Sequence, residues 1–261
     1  MTTINKIETI SSLKSDFKKI GIESGMTLIV HSSLSSIGWV CGGELAVIQA
    51  LQQVITNEGT LIMPAHSTDL SDPKDWSNPR VNKSLWKEIR EEMPAFNKLA
   101  TPTYQLGKIP ELFRTLPDVE RSSHPAYSFS AWGKNKEIIL NNHALNHGLG
   151  EESPLARIYD LNGYILLLGT NYDSNTSMHL SEHRVGVFPK ITQQSPVLIN
   201  GRKTWITYDE IEYDEANFLK IGESFEKKYK IKIGSIGSAA SKLINQRAIV
   251  DYTTENVLQY S

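Results

Sequence analysis

The feature that most constrains this fold lies between residues 26 and 63. An apolar run, Met26 to Val30, leads into a loop rich in Ser and Gly, His31 to Gly42 (HSSLSSIGWVCG). An amphipathic stretch from Glu44 to Ile55 then places Leu45, Ile48, Leu51 and Ile55 on one helical face. A second apolar run, Thr60 to Met63, ends at Pro64. Short apolar runs flanking a segment of helical period make a β-loop-α-β unit. Such a unit implies parallel strands joined by a right-handed crossover. The expectation is an α/β fold, a single domain over residues 1–261 whose central mixed, partly parallel sheet is flanked by helices.

The rest of the chain supplies further elements. Ile7, Ile10, Leu13, Phe17 and Ile20 predict a helix over residues 5–20, stopped by Gly21. Helices are also expected over Lys108 to Leu116, from Ser153-Pro154 to Tyr159, over Ser174 to Val185, and over residues 214–229 and 235–246. Tyr164 to Leu168 is the strongest strand pattern. Residues 130–140 fit no single pattern. Gln193 to Asn200, Lys203 to Tyr208 and the stretch near Lys232 read as a C-terminal antiparallel elaboration, with Asn200-Gly201 as a hairpin turn. Residues 66–100 carry Asp69, Asp72, Asp75, Trp76 and Trp86 and read as a long loop with a short helix. Loops of that length in a compact domain are usually functional.

Composition removes several function classes. The formal net charge is −2 with no Lys/Arg cluster, which argues against nucleic acid as a partner. Cys41 is the one cysteine, so neither an internal disulfide nor a Cys-based zinc site is available. The N-terminal stretch lacks a signal-peptide apolar region, and no apolar run reaches the ~18 residues that span a membrane. A cytoplasmic protein with no membrane partner is expected.

Two histidines and the Ser-rich loop carry the chemistry. A strand-to-helix junction presents backbone N–H groups and a partially positive helix start, which suit a phosphate. Ser32, Ser33, Ser35 and Ser36 add hydroxyl donors. The loop is neither a P-loop nor a GxGxxG turn, and locally it reads equally as a cap on the following helix. His31 closes the first strand and His179 follows the strongest one, so both belong at carboxyl ends, where doubly wound sheets gather ligands. Glu182 lies three residues after His179 on the same helical face and fits a base–orienter pair, although a polar surface face gives the same spacing. His179 to His183 also spells H-x-x-E-H, the inverted zinc-peptidase motif. His124 precedes Pro125 among serines, as a functional residue or as a side chain that holds its loop in place.

Taken together, VHSSLSSIGWVCGG, IMPAHSTDLSDP, TPTYQLGKIPELFR, RSSHPAYSFSAWG, LGEESPLARIY and ILLLGTNYDSNTSMHLSEHR resemble the aminoglycoside N(3)-acetyltransferase family. They lie in family order across residues 5–255, with greatest likeness to a Bacillus branch. The resemblance implies the fold of that family, distinct from GNAT enzymes. It also implies transfer of acetyl from acetyl-CoA to the 3-amino group of a 2-deoxystreptamine aminoglycoside, a resistance activity requiring no metal, in a monomer or homodimer. Carried over, the loop of His31, Ser32, Ser33, Leu34, Ser35, Ser36 and Gly38 holds coenzyme A, and Thr101 and Thr103 lie along the pantetheine arm. His179 is the catalytic base, with Glu182 or Glu151 to orient it, and His31 stands near the thioester. Asp69, Glu151 and Asp173 are expected to face the cationic acceptor. The family's usual HLAE is HLSE here, its Met is Leu106, and its FDP is Phe96-Asn97-Lys98. The same CoA site also serves a transferase for another amine or a non-catalytic CoA-binding protein.

Overall fold

The structure is a computed structural model and describes residues 4–259. The first helix, α1 (Ile10–Ile20), is shorter than its apolar spacing suggests, because Thr9 accepts from Ser12 N in a capping box and fixes the start. Residues 4–8 before it lie outside any helix. Glu8 bridges Val40, exchanging hydrogen bonds with Trp39 and Cys41. β1 (Thr27–Ser32) leads into a single helical turn, α2 (Leu34–Ile37), and then into α3 (Gly43–Ile55) and β2 (Thr60–Pro64). β1 and β2 pair in parallel, Leu28 opposite Leu61, as the β-loop-α-β reading requires.

The long segment that follows holds one short helix, α4 (Trp86–Glu92), before α5 (Lys108–Phe113). It is anchored from inside. Arg121 on β3 (Glu120–Arg121) donates to Thr101 O at 2.5 Å, Ala65 O at 2.5 Å, Ser67 Oγ at 2.8 Å and Ser128 Oγ at 2.9 Å. Burial pulls this guanidinium down to about 10. Asp72 and Arg90 add a bidentate pair at 2.7 and 2.9 Å. The ambiguous stretch 130–140 resolves into β4 (Phe129–Gly133) and α6 (Lys136–Leu140).

Beyond them come α7 (Pro154–Asp160), β5 (Tyr164–Leu168) and α8 (His179–Val185). Two 3-10 turns replace the first half of the helix expected from Ser174. β6 (Lys190–Ile199) and β7 (Arg202–Ile211) form the expected hairpin, a separate two-stranded sheet. α9 (Phe218–Lys228) follows.

The expectation fails at residues 235–246. Ala239, Ala240, Leu243 and Ile244 have helical spacing, but the segment is a hairpin of β8 (Lys232–Ile236) and β9 (Ala239–Asn245). Gly237 turns it at φ +59°, and Ala239, Ser241 and Leu243 are buried by strand alternation against β5. The helix comes one element later, as α10 (Gln246–Asn256), capped by Asn245 accepting from Ala248 N.

The main sheet runs β3-β4-β2-β1-β5-β9-β8. β1 pairs in parallel with both β2 and β5, and every other pairing in this sheet is antiparallel. Alternation along β1 and β5 sends Leu28, Val30, Leu166 and Leu168 to the face covered by α1, α3 and α5. It sends Ile29, Ile165 and Leu167 to the face covered by α6 through α10. Each such fully buried side chain contributes about 1.5–3 kcal/mol. From β1 the chain moves to β2 on one side and later to β5 on the other. The carboxyl ends of these three strands therefore meet at a topological switch point, the usual place for a ligand crevice in open α/β sheets. No helix among the described residues is long and apolar enough to cross a membrane.

Candidate active site

Each of the three parallel strands delivers a histidine to that edge. His31 is the penultimate residue of β1, His66 lies two residues past β2, and His179 opens α8 after the turns that follow β5. All three line one cavity of about 1140 Å3, together with Ser32, Ser33, Leu34, Ser35 and Gly38 from the Ser-rich loop.

His179 is the best-held of them. Its Nδ1 lies 2.5 Å from Oε2 of Glu182, which is fully buried. Oε1 of that carboxylate accepts from Asp214 N at 2.9 Å. A carboxylate can only accept, so Nδ1 is the donor here, and in the neutral ring Nε2 keeps a free lone pair. Tyr213 and Phe218 pack against the ring with centroids at 4.8 and 5.0 Å. The side chain remains 15% exposed, oriented but reachable. This is the arrangement of a general base with its orienting partner.

The loop after β1 is closed on itself and on β5. Ser33 N donates to Leu168 O at 2.9 Å, and Ser36 Oγ donates to Ser33 Oγ at 2.9 Å and to Gly169 O at 3.2 Å. Gly169 has φ +67°, and a Cβ there would stand 2.6 Å from Ser36 Cβ, so only glycine lets the two strand ends approach. Ser36 thus shapes the loop and is absent from the cavity wall, whereas Ser32 Oγ is buried without a partner. An orphaned hydroxyl beside open space is a position where a polar ligand atom fits.

Thr101 and Thr103, expected along the pantetheine arm, serve the loop instead. Thr101 Oγ1 accepts from Asn97 N, and Thr103 donates through N and Oγ1 to Glu111. The wall is formed by their neighbours Gln105, Leu106, Gly107 and Lys108. The proline and glycine around them mark a turn, and Gln105 adopts φ +55°, which no sequence pattern signals.

The expected acceptor residues separate. Asp173 lines the cavity, as does Glu215, which the sequence did not single out. Asp69 is exposed and outside the cavity wall. Glu151 pairs with Arg184 at 2.7 Å and lines a second cavity of about 680 Å3 behind α8. Glu182, not Glu151, therefore orients His179.

His124, His143 and His183 hold structure, whereas His147 lines the second cavity with its Nδ1 lacking a hydrogen-bond partner. Nδ1 of His124 accepts from Ala126 N and Tyr127 N while Nε2 faces Leu145 O at 3.0 Å, so the loop-holding alternative is the one realised. His143 bridges Ser122 Oγ and Gly148 O. His183 meets Tyr213 Oη at 2.9 Å, and that hydroxyl donates to Glu210 at 2.6 Å. The two histidines of H-x-x-E-H thus have different partners, Glu182 and Tyr213. Among the described residues no group of three or more His, Cys, Asp or Glu is placed to hold a metal ion.

Known proteins resemble this chain along nearly its whole length. A family model described as aminoglycoside 3-N-acetyltransferase matches residues 29–257. The chain is 49% identical over 245 residues to the SPbeta prophage-derived aminoglycoside N(3')-acetyltransferase-like protein YokD of Bacillus subtilis (strain 168), covering 94% of this chain and 90% of that one. The crystal structure of YokD superimposes with a TM-score of 0.95 at 46% identity, covering 100% and 97% of the two chains. Aminoglycoside N(3)-acetyltransferase III of Pseudomonas aeruginosa is 31% identical over 262 residues, covering 98% and 95%. A solved structure of AAC-IIIb binary with CoASH matches with a TM-score of 0.87 at 27% identity, covering 98% of each chain. Sequence, fold and a histidine–carboxylate pair at the switch point converge, and the chain belongs to the aminoglycoside 3-N-acetyltransferase family.

Proposed function

We propose that this chain transfers the acetyl group of acetyl-CoA to the 3-amino group of a 2-deoxystreptamine aminoglycoside, in the cytoplasm, where acetyl-CoA is made. The observation that carries the reading is the His179–Glu182 pair opening onto the cavity walled by the Ser-rich loop. Ser32, Ser33, Leu34, Ser35 and Gly38 hold the coenzyme, with Lys108 on the same wall as a counter-charge to its phosphates. Asp173 and Glu215 hold the ammonium groups of the acceptor.

The residue types follow from the chemistry. An aminoglycoside amine is mostly protonated near neutrality, and an ammonium cannot attack a carbonyl. Nε2 of His179 removes that proton, and Glu182 stabilises the imidazolium that results. The neutral amine attacks the thioester, and the thiolate leaves readily, so no covalent intermediate on the enzyme is required. Exposed Cys41 lies outside the cavity wall and has no part in this scheme.

The test is a steady-state assay of thiol release with acetyl-CoA across a panel of amines, with the product located by mass spectrometry and NMR. Acetylation at the 3-amino group of 2-deoxystreptamine compounds is the expected result. Turnover confined to other amines overturns the acceptor assignment. Tight CoA binding with no thiol release for any amine overturns the transferase reading in favour of a CoA-binding protein.

A further inference from the structure

His66 lies outside the residues expected from the sequence, yet it shares a cavity wall with His31 and His179. The three imidazoles differ in what they touch. His179 has Glu182. Nε2 of His31 and Nε2 of His66 are both buried with no hydrogen-bond partner. His124, His143 and His183, by contrast, are bonded to protein groups, and His147, whose Nδ1 is also unpartnered, lines the other cavity. An unsatisfied buried polar atom costs about 1–3 kcal/mol, and such atoms are uncommon in native proteins. Two of them on one cavity wall point to a ligand atom that satisfies them.

The environment also fixes their charge. Burial and the nearby His179 push His31 down to about 3 and His66 well below the ordinary histidine range. Both stay neutral when His179 takes a proton, and a neutral imidazole carries one N–H to donate. The ring of His66 is held by edge contacts to Tyr127 at 5.7 Å and Phe129 at 5.1 Å, and its backbone oxygen accepts from Tyr104 N. Rigid, water-shielded donors of this kind stabilise charge that develops in a transition state.

We infer that His66, paired with His31, donates a hydrogen bond to the carbonyl oxygen of the bound thioester and is a catalytic residue of the acetyl transfer. The inference rests on the transferase reading above. With the ammonium proton already on His179, the neutral amine nitrogen bonds to the carbonyl carbon and the C=O electron pair moves onto oxygen. The pair then returns and the C–S bond breaks; the CoA sulfur leaves with the bonding electrons and accepts the proton from His179, while the nitrogen's excess proton goes to solvent. His31 and His66 exchange no proton and hold the oxygen through N–H throughout.

Isotope-edited infrared spectroscopy of bound [carbonyl-13C]acetyl-CoA reads the contact directly. The carbonyl stretch is expected at lower frequency in the complex than in free acetyl-CoA. It should move back toward the free value in His66→Phe and stay lowered in His66→Gln, which keeps an N–H donor. In His66→Phe, kcat for thiol release should fall about 10²–10³-fold, the loss typical of one oxyanion donor, while the acetyl-CoA Kd changes less than about threefold. An unshifted stretch in the wild-type complex overturns the proposal, as does an unchanged kcat in folded His66→Phe. If that variant does not fold, the wild-type shift and its reversal in His31→Phe decide the matter. Turnover with an unshifted carbonyl leaves the transferase reading standing and removes this one, whereas failure to bind acetyl-CoA removes both.

Discussion

Both oxygens of the buried Glu182 carboxylate are committed, Oε2 to His179 Nδ1 at 2.5 Å and Oε1 to Asp214 N at 2.9 Å. The carboxylate therefore joins the His179 ring to the backbone that leads into α9. His179→Ala removes the proposed base and leaves the Ser-rich loop intact. It should lower kcat about 10²–10⁴-fold with little change in CoA affinity. Glu182→Gln keeps the shape but offers a neutral amide in place of an acceptor-only anion, and it should cost up to about 10⁴-fold in kcat, as loss of an orienting carboxylate does. Steady-state thiol release beside calorimetric titration with CoASH checks both. Turnover that survives either change would remove this pair from the mechanism.

The parts of the fold that could be read from sequence are those fixed by local period. The unit from β1 to β2, the strand at Tyr164–Leu168 and the hairpin at Asn200-Gly201 announce themselves through apolar runs and turn residues. Residues 235–246 do not, because Ala239, Leu243 and Ile244 fit a helix locally and only pairing with β5 selects the strand. The site shows the same division. His31, His179 and Glu182 lie at strand ends or at helical spacing, so position alone marks them. His66, two residues past β2, carries the same strand-end mark, whereas Lys108 reaches the site because the Arg121 anchor folds the long loop back to the sheet edge, through contacts spanning 20 residues at Thr101 and 56 at Ala65 that no local window shows.

Stability should fall as pH drops below neutrality, because several histidines are buried as neutral rings. His31 and His143 are pushed down to about 3, and His124 and His183 to about 4, with burial the main cause. The unfolded chain, with histidines near 6.5, binds more protons than the folded one below that pH. Each such group therefore contributes stability that is complete above about 6.5 and is lost as pH falls toward 4 and then 3. Glu210, raised by burial, acts in the opposite sense and offsets a small part of this. Denaturant unfolding at pH 7, 6 and 5 should show stability falling by as much as about 1.4 kcal/mol per pH unit for each titrating ring. A flat profile from 7 to 5 would show that these rings are not held neutral.

Acceptor binding should depend on salt through Asp173 and Glu215 rather than through the acidic loop at 69–75. Asp72 is neutralised by Arg90, and Asp69 lies outside the cavity wall, whereas Asp173 and Glu215 line it. Both cavity carboxylates are exposed, so each is worth little and is readily screened. Asp173→Asn should raise KM for a polycationic acceptor about two- to fivefold, shrinking toward no effect at high ionic strength, and should leave acetyl-CoA KM unchanged. Asp69→Asn should leave both values where they were. Initial rates at two salt concentrations separate the outcomes, and an acceptor effect from Asp69 alone would move the cationic subsite to the loop.

A residue far from the reacting atoms controls the same ring through packing. Gly222 in α9 lies against Tyr172, and a Cβ added there would stand 2.1 Å from the tyrosine ring. Tyr172 is fully buried, so neither partner can yield without moving its element. α9 also begins with Phe218, whose ring packs on His179 at 5.0 Å. Gly222→Ala should therefore destabilise the protein by about 1–3 kcal/mol, the usual cost of overpacking. It should also lower kcat on the proposed mechanism, because displacement of α9 loosens the packing of Phe218 that orients the His179 ring. Thermal unfolding together with kcat at a temperature where the variant stays folded tests the two effects apart. A variant that loses stability while keeping full kcat would show that Glu182 and Tyr213 hold the ring without help from Phe218.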